Sequence, residues 1–319
     1  MDDLKEVARR LFVSRAADFG LDGAHVDVRY VLNWGGFVNT SLQIWDGRTG
    51  LHVKLATSAQ GQSALRRWQR LDAALRTYRA PPILAWVEVG AAGGLVFPLL
   101  EGAAPSASSE VIESVLDQVR ALWMDAELAR RLGDEAAVTA ADCYLGTYHN
   151  RFSADLVAIE GERPHFLAED DLSWMRAEVA DLERRVRETP AFLEEVTSPT
   201  HGDLWLNNVL WESSRSWWIL DWDDLRIGDP AMDLAMLAGP TSTDLRPLKP
   251  LRQPRDGLSE AAGERLHLLG RASLLDWVID PLADWIEAKV EPLHEAEVRA
   301  EKQRVHREAL SLYRQLYKR

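Results

Sequence analysis

The sequence predicts an α+β protein of two lobes, a small antiparallel sheet with one main helix followed by a larger, mainly helical lobe. Three observations lead there. Apolar residues alternate with a period of two through much of the first hundred positions. From Ile112 onward they recur at helical spacing, at Val115, Leu116, Val119, Leu122 and Trp123. Between the two regimes, residues 103–109 are small and polar, as a linker is, so the expected division is 1–101 and 102–319.

An opening helix is expected first, then strands. Val26, Val28, Tyr30 and Leu32 alternate, as do Thr40, Leu42 and Ile44, and then Leu51, Val53 and Leu55. The turn cluster Asp46-Gly47-Arg48-Thr49-Gly50 joins the last two runs as a hairpin. A helix is predicted over 62–78, stopped by Pro81-Pro82. Two more strands are predicted at 83–89 and 95–100, separated by 90–94. In the second lobe, 240–257 is rich in proline and reads as a loop. Val305, Ala309, Leu312, Tyr313 and Leu316 mark an amphipathic final helix.

Composition bounds the function. The 319 residues are 46% apolar and 27% charged, ordinary for a soluble globular chain with an ample core. A net charge of −13 argues against a nucleic-acid binder that grips phosphates. It suits a cationic substrate, although acidity that serves solubility is the plainer reading. Cys143 is the single cysteine, so neither an internal disulfide nor a cysteine-based zinc site is expected. Met1-Asp2-Asp3-Leu4-Lys5 does not open a secretory signal, and no apolar run approaches the ~20 residues of a membrane span. A cytoplasmic protein with access to ATP, monomeric or homodimeric and without a membrane partner, is expected.

The sharpest signal is His201-Gly202-Asp203-Leu204-Trp205-Leu206-Asn207-Asn208, followed by Ile219-Leu220-Asp221-Trp222-Asp223. Phosphoryl transfer from a magnesium nucleotide needs a carboxylate to orient and deprotonate the attacking hydroxyl. It also needs oxygen ligands that hold the metal against the phosphates. Asp203, Asn208 and Asp221 supply that set at the spacing kinases use, with Gly202 in place of an arginine and Trp222-Asp223 in place of Phe-Gly. Further on, Gly228-Asp229-Pro230-Ala231-Met232-Asp233-Leu234-Ala235 begins only seven residues after Asp221, which leaves no room for a peptide-docking activation segment.

Together these stretches resemble the aminoglycoside phosphotransferase and choline kinase family. The resemblance implies a protein-kinase-like fold and an ATP-dependent (or GTP-dependent) phosphotransferase with Mg2+. The acceptor is then a hydroxyl of a small molecule: aminoglycoside-like, an amino alcohol or a sugar. Asp203 is the implied base, and Asn208 and Asp221 are the implied metal ligands. Asp229 and Asp233 are expected to brace the catalytic loop and cap a helix, and His201 to be structural. Trp205 also fits fructosamine kinases, so a sugar kinase of the same fold stays open, as does a non-catalytic nucleotide-binding module.

In the first lobe, Asn33-Trp34-Gly35-Gly36-Phe37-Val38-Asn39-Thr40 lies where a phosphate-covering loop belongs, with Gly36, Asn39 and Thr40 as phosphate contacts. A bare hairpin turn explains a Gly-Gly pair equally well. Lys54 points away from Leu51, Val53 and Leu55, and matches the lysine that meets the α- and β-phosphates. A solvated lysine on an edge strand is the plainer alternative. Its usual glutamate partner is missing: from Ala59 to Ala80 the only acidic residue is Asp72. Gln62, Asp72 or a carboxylate from elsewhere must then serve. Backbone groups around Leu99 to Glu101 are expected to read the base. Asp276, Asp280 and Asp284 share a helical face that Pro281 interrupts, a solvated stripe or an amine-binding wall.

Overall fold

The computed structural model describes residues 2–32, 39–106, 108–133, 138–241, 259–290 and 294–317. The chain forms two compact units, one of residues 1–103 and 209–224, the other of 104–208 and 225–319. The expected division at 101/102 did not assign 209–224 to the first unit.

The first unit opens with α1 (Asp2–Ser14) and α2 (Ala16–Phe19), then β1 (Asp27–Val31), β2 (Thr40–Trp45), β3 (Gly50–Ala56), α3 (Ala59–Leu75), β4 (Ala85–Val89) and β5 (Ala92–Pro98). The five strands form an antiparallel sheet in the order β1-β2-β3-β5-β4. Alternation sorts its two faces. Leu42, Ile44, Leu51, Val53 and Leu55 bury one face with Ala8, Phe12 and Ala16 of the opening helices. The opposite face carries His52 and Lys54, and there Trp68 of α3 packs on Phe97 with ring centroids 5.0 Å apart. β3 is therefore central, and Lys54 does not lie on an edge strand.

Two boundaries differ from expectation for physical reasons. α3 begins at Ala59 because Ser58 caps it, accepting from the Gly61 N–H at 3.0 Å. It gives way to a 3-10 turn at Arg76–Tyr78, and Arg79 in the left-handed region (φ 65°) closes that turn before Pro81 is reached. β5 starts at Ala92, so of the glycines expected to separate two strands Gly90 stays in the turn while Gly93 and Gly94 lie inside β5. A Cβ at Gly94 would sit 2.0 Å from the Lys54 carbonyl oxygen, so glycine is what lets β5 approach β3 this closely. Residues 209–224 add a hairpin, β9 (Val209–Ser213) with β10 (Ser216–Ile219), and a 3-10 turn at Trp222–Asp224.

The second unit contains α4 (Ser109–Trp123), α5 (Ala126–Leu132), β6 (Val138–Thr139), α6 (Ala140–Tyr144), α7 (Asn150–Gly161), α8 (Glu169–Glu188), β7 (Glu195–Val196) and β8 (Ser198–Thr200). It continues with β11 (Arg226–Gly228), α9 (Pro230–Leu237), α10 (Glu260–Glu287) and α11 (Glu295–Tyr317). β8 and β11 pair antiparallel, as do β6 and β7. The core is built from α6, α7, α8, α9, α10 and α11, with Tyr144, Tyr148, Phe152, Leu275, Ile279 and Tyr313 all buried. α10 runs through Pro281 without a break, and it buries Asp276 and Asp284, so this is not a solvated face. Most of the proline-rich stretch expected as a loop, 242–257, falls outside the described residues.

Candidate active site

In the first unit, the central strand presents Lys54 on the α3 face, where it is only 6% exposed. An ammonium there requires anionic partners. Two are present: Asp223 Oδ1 at 2.7 Å and Asp221 Oδ1 at 3.2 Å. Burial alone would lower the Lys54 pKa, but the two carboxylates more than offset it and raise the pKa above its ordinary value. Asn39 donates from Nδ2 to Asp223 Oδ2 at 3.1 Å, and Arg67 of α3 donates to the Asp223 carbonyl at 2.7 Å.

Neither suggested substitute for the missing glutamate serves Lys54. Gln62 Nε2 donates to the carbonyls of Ala56 and Ala91, at 3.2 and 3.3 Å. Asp72 accepts from the Ile83 N–H at 3.1 Å and pairs with Arg76 at 2.6 Å. Asp223 was missed as a partner because the turn that carries it lies 169 residues from Lys54 in sequence. Asp221 adopts φ 59°, rare for a residue with a side chain and a pointer to a functional constraint.

Beside Lys54 lies a cavity of about 220 Å3 lined by His52, Phe97, Leu99, Leu210 and Leu220 among others. Its walls are apolar, suited to the flat face of a purine. His52 was also missed, although it shares a strand face with Lys54 two residues away. Burial pushes its pKa down, favouring the neutral ring. The Leu99 N–H donates to the Gly50 carbonyl at 2.9 Å, and Leu99 is one of the residues that line the cavity. Glu101 is exposed, and Thr40 pairs with Leu55 at the start of β2. Gly36 lies outside the described residues, so the expected glycine loop is represented by Asn39 and Thr40 alone.

In the second unit, the His201-Gly202-Asp203 turn follows β8. Gly202 adopts φ 85°, a conformation glycine takes without strain. Asp233 of α9 pins the turn, accepting from the N–H groups of His201 (2.9 Å) and Gly202 (3.0 Å) and from Trp123 Nε1 (3.1 Å). His201 is fully buried, and its Nδ1 accepts from the Asp203 N–H at 3.3 Å. Asp229 caps α9 through the Ala231 N–H at 3.0 Å and meets Arg265 with both oxygens at 2.8 Å.

Asn208 Nδ2 donates to the Asp203 carbonyl and to Asp203 Oδ2, both at 2.8 Å. Those two bonds use both amide hydrogens and turn Oδ1 into the free donor atom for a cation. Asp203 also lies within electrostatic reach of Tyr148 and of the Arg151–Asp276 ion pair. Burial pushes the Asp276 carboxyl up and Asp155 up to about 6. Trp205 packs edge-to-face on Trp277 at 5.9 Å, while Trp222 is fully buried.

The family model described as Phosphotransferase enzyme family (APH) matches residues 30–277, well over half the chain. The chain belongs to that family. Viomycin phosphotransferase of Streptomyces vinaceus is 43% identical over 70 residues, 20% of this chain and 24% of that enzyme. The match thus spans about a quarter of that relative's length. Choline kinase from Cryptosporidium parvum superposes with a TM-score of 0.57 at 12% identity, covering 96% of each chain. The GDP and kanamycin complex of an aminoglycoside phosphotransferase gives 0.54 at 14% identity, covering 95% of this chain and 96% of that one. At such identities the likeness establishes the fold, the protein-kinase-like one that the family implies. No helix among the described residues is long and apolar enough to cross a membrane.

Proposed function

We propose that this member of the phosphotransferase family moves the terminal phosphate of a nucleoside triphosphate to a hydroxyl of a small, amine-bearing acceptor. The observation that carries the reading is the Asp203–Asn208 pairing on a turn held rigid by Asp233. A carboxylate fixed in this way can orient an acceptor hydroxyl and take its proton as the oxygen attacks phosphorus. Lys54 supplies positive charge for the phosphates in a setting of low dielectric. The apolar cavity beside it suits the base, adenine or guanine.

Asn208 and Asp221 are the residues we assign to magnesium. The donor set fits: Asn208 keeps Oδ1, and Asp221 keeps Oδ2 while Lys54 takes its Oδ1. Bound there, the ion would neutralise phosphate charge. An acceptor with amino groups is favoured by Asp280 and Asp155, acidic groups of the unit that carries Asp203, while Asp276 is taken by Arg151. The named acceptors and relatives above, kanamycin, viomycin and choline, are cationic too.

The test is nucleotide consumption with Mg2+ across a panel of aminoglycosides, peptide antibiotics, amino alcohols and sugars. Turnover on an amine-bearing acceptor is expected, reduced about 100-fold or more in Asp203→Asn. Equal turnover in parent and variant would remove Asp203 as the base. Turnover confined to neutral sugars would sink the amine-bearing acceptor.

A further inference from the structure

We propose that Asp223 is the positioning residue for Lys54, doing from the 222–224 turn what a helix glutamate does elsewhere, with Arg67 of α3 holding that turn in place. The proposal rests on reading the chain as a nucleotide-dependent phosphotransferase.

Lys54 cannot aim at a phosphate unless its buried ammonium is fixed, and the one carboxylate of α3, Asp72, is taken by the Ile83 N–H and Arg76. The helix presents a cation instead. Arg67 reaches across to the Asp223 carbonyl at 2.7 Å, so α3 grips the backbone of the turn and the turn returns the carboxylate. Asp223 is the closer partner of Lys54, at 2.7 Å against 3.2 Å for Asp221. It is also the more enclosed, with 20% of its side chain exposed against 41%. Its second oxygen is held by Asn39 at 3.1 Å, which fixes the carboxylate plane. Two carboxylates around one lysine are otherwise one too many. The arrangement makes sense if Asp221 is to be shared with a second cation, because Lys54 then keeps Asp223 as its anchor throughout.

The rival role for Asp223 is a direct metal ligand, and a double-mutant cycle separates the two. Nucleotide turnover is measured as a function of MgATP and of free Mg2+ for the parent, Lys54→Met, Asp223→Asn and the double variant, with thermal melts to confirm folding. If Asp223 acts through Lys54, Asp223→Asn lowers kcat by about tenfold or more with an unchanged Mg2+ requirement. The double variant is then no slower than Lys54→Met alone, and Asp223→Glu recovers part of the loss. Losses that multiply in the double variant, or an Mg2+ requirement that rises in Asp223→Asn, overturn the proposal.

Arg67→Met leaves every carboxylate in place and serves as a second probe should Asp223→Asn unfold. It is expected to lower kcat in the parent but not further in the Lys54→Met background, and multiplying losses there also count against the proposal. A parent that turns over nucleotide and gives multiplying losses defeats this inference alone. A parent that turns over no nucleotide with any acceptor or water defeats the functional reading along with it.

Discussion

Asp221 combines a left-handed backbone, a half-exposed carboxylate and a lysine on one oxygen only. Strain of that kind persists where the surroundings over-determine it, and here the buried Trp222, whose Nε1 donates to the Ile219 carbonyl at 2.7 Å, locks the turn from the other side. If Asp221 and Asn208 are metal ligands, changing either to Ala should remove most of the gain in nucleotide affinity that Mg2+ confers, by at least about tenfold, with little effect on metal-free binding. Titration of ATP with and without Mg2+ measures this, and equal metal dependence in parent and variant contradicts the assignment. Asp203, Asn208 and Asp221 could be singled out as candidates in the sequence because their spacing is local. Asp223 was not, because its role depends on which strand face the turn meets.

At the scale of elements, α9 pins the turn that carries Asp203 through Asp233, and α10 holds the N-cap of α9 through Arg265. Arg265 of α10 is buried and bonds Asp229 through two nitrogens, the Ala191 carbonyl at 2.8 Å and Glu194 at 2.6 Å. Asp229→Ala would leave that guanidinium buried with a single carboxylate and remove the cap of α9. Stability is expected to fall by about 3–5 kcal/mol. Chemical denaturation measures it, and a loss below about 1 kcal/mol would mean that the Arg265 network relaxes onto other acceptors. The Gly-Asp-Pro stretch announced this cap in the sequence. Its partner did not announce itself, since one arginine in a long helix looks like any other until packing buries it. The same holds for α10, where periodicity located Asp276, Asp280 and Asp284 on one face, but only packing showed two of them buried.

For the whole molecule, the buried His306 and the buried carboxylates Asp276 and Asp284 contribute to acid stability in opposite senses. His306 donates Nδ1–H to the Val278 carbonyl at 2.7 Å, and burial lowers its pKa below the ordinary value of 6.5. The folded chain then binds fewer protons at this site than the unfolded chain once pH drops toward 6.5, so stability from this site is lost as pH falls. Asp276 and Asp284, raised by burial, act in the opposite sense between their unfolded and folded values. His306→Asn, which keeps an N–H donor for Val278, should make the change in stability between about pH 7.5 and about pH 5.5 less unfavourable on the acid side than in the parent. Denaturation midpoints at the two pH values check this, and an identical change in both proteins would show that His306 does not titrate across the transition. The strand alternation of the first hundred residues, the helical spacing from Ile112 and the motif that singles out Asp203, Asn208 and Asp221 were readable in the chain alone, because periodicity and short spacings are written in neighbouring residues, whereas the short strands of the second unit were not. The chain alone did not determine what surrounds that motif. That Lys54 is buried on a central strand, that 209–224 folds with the first unit, and that Asp223 meets Lys54 while Arg67 meets the Asp223 carbonyl came only from tertiary structure. Burial and ion pairing join residues far apart in the chain, and no local pattern records which of them will meet.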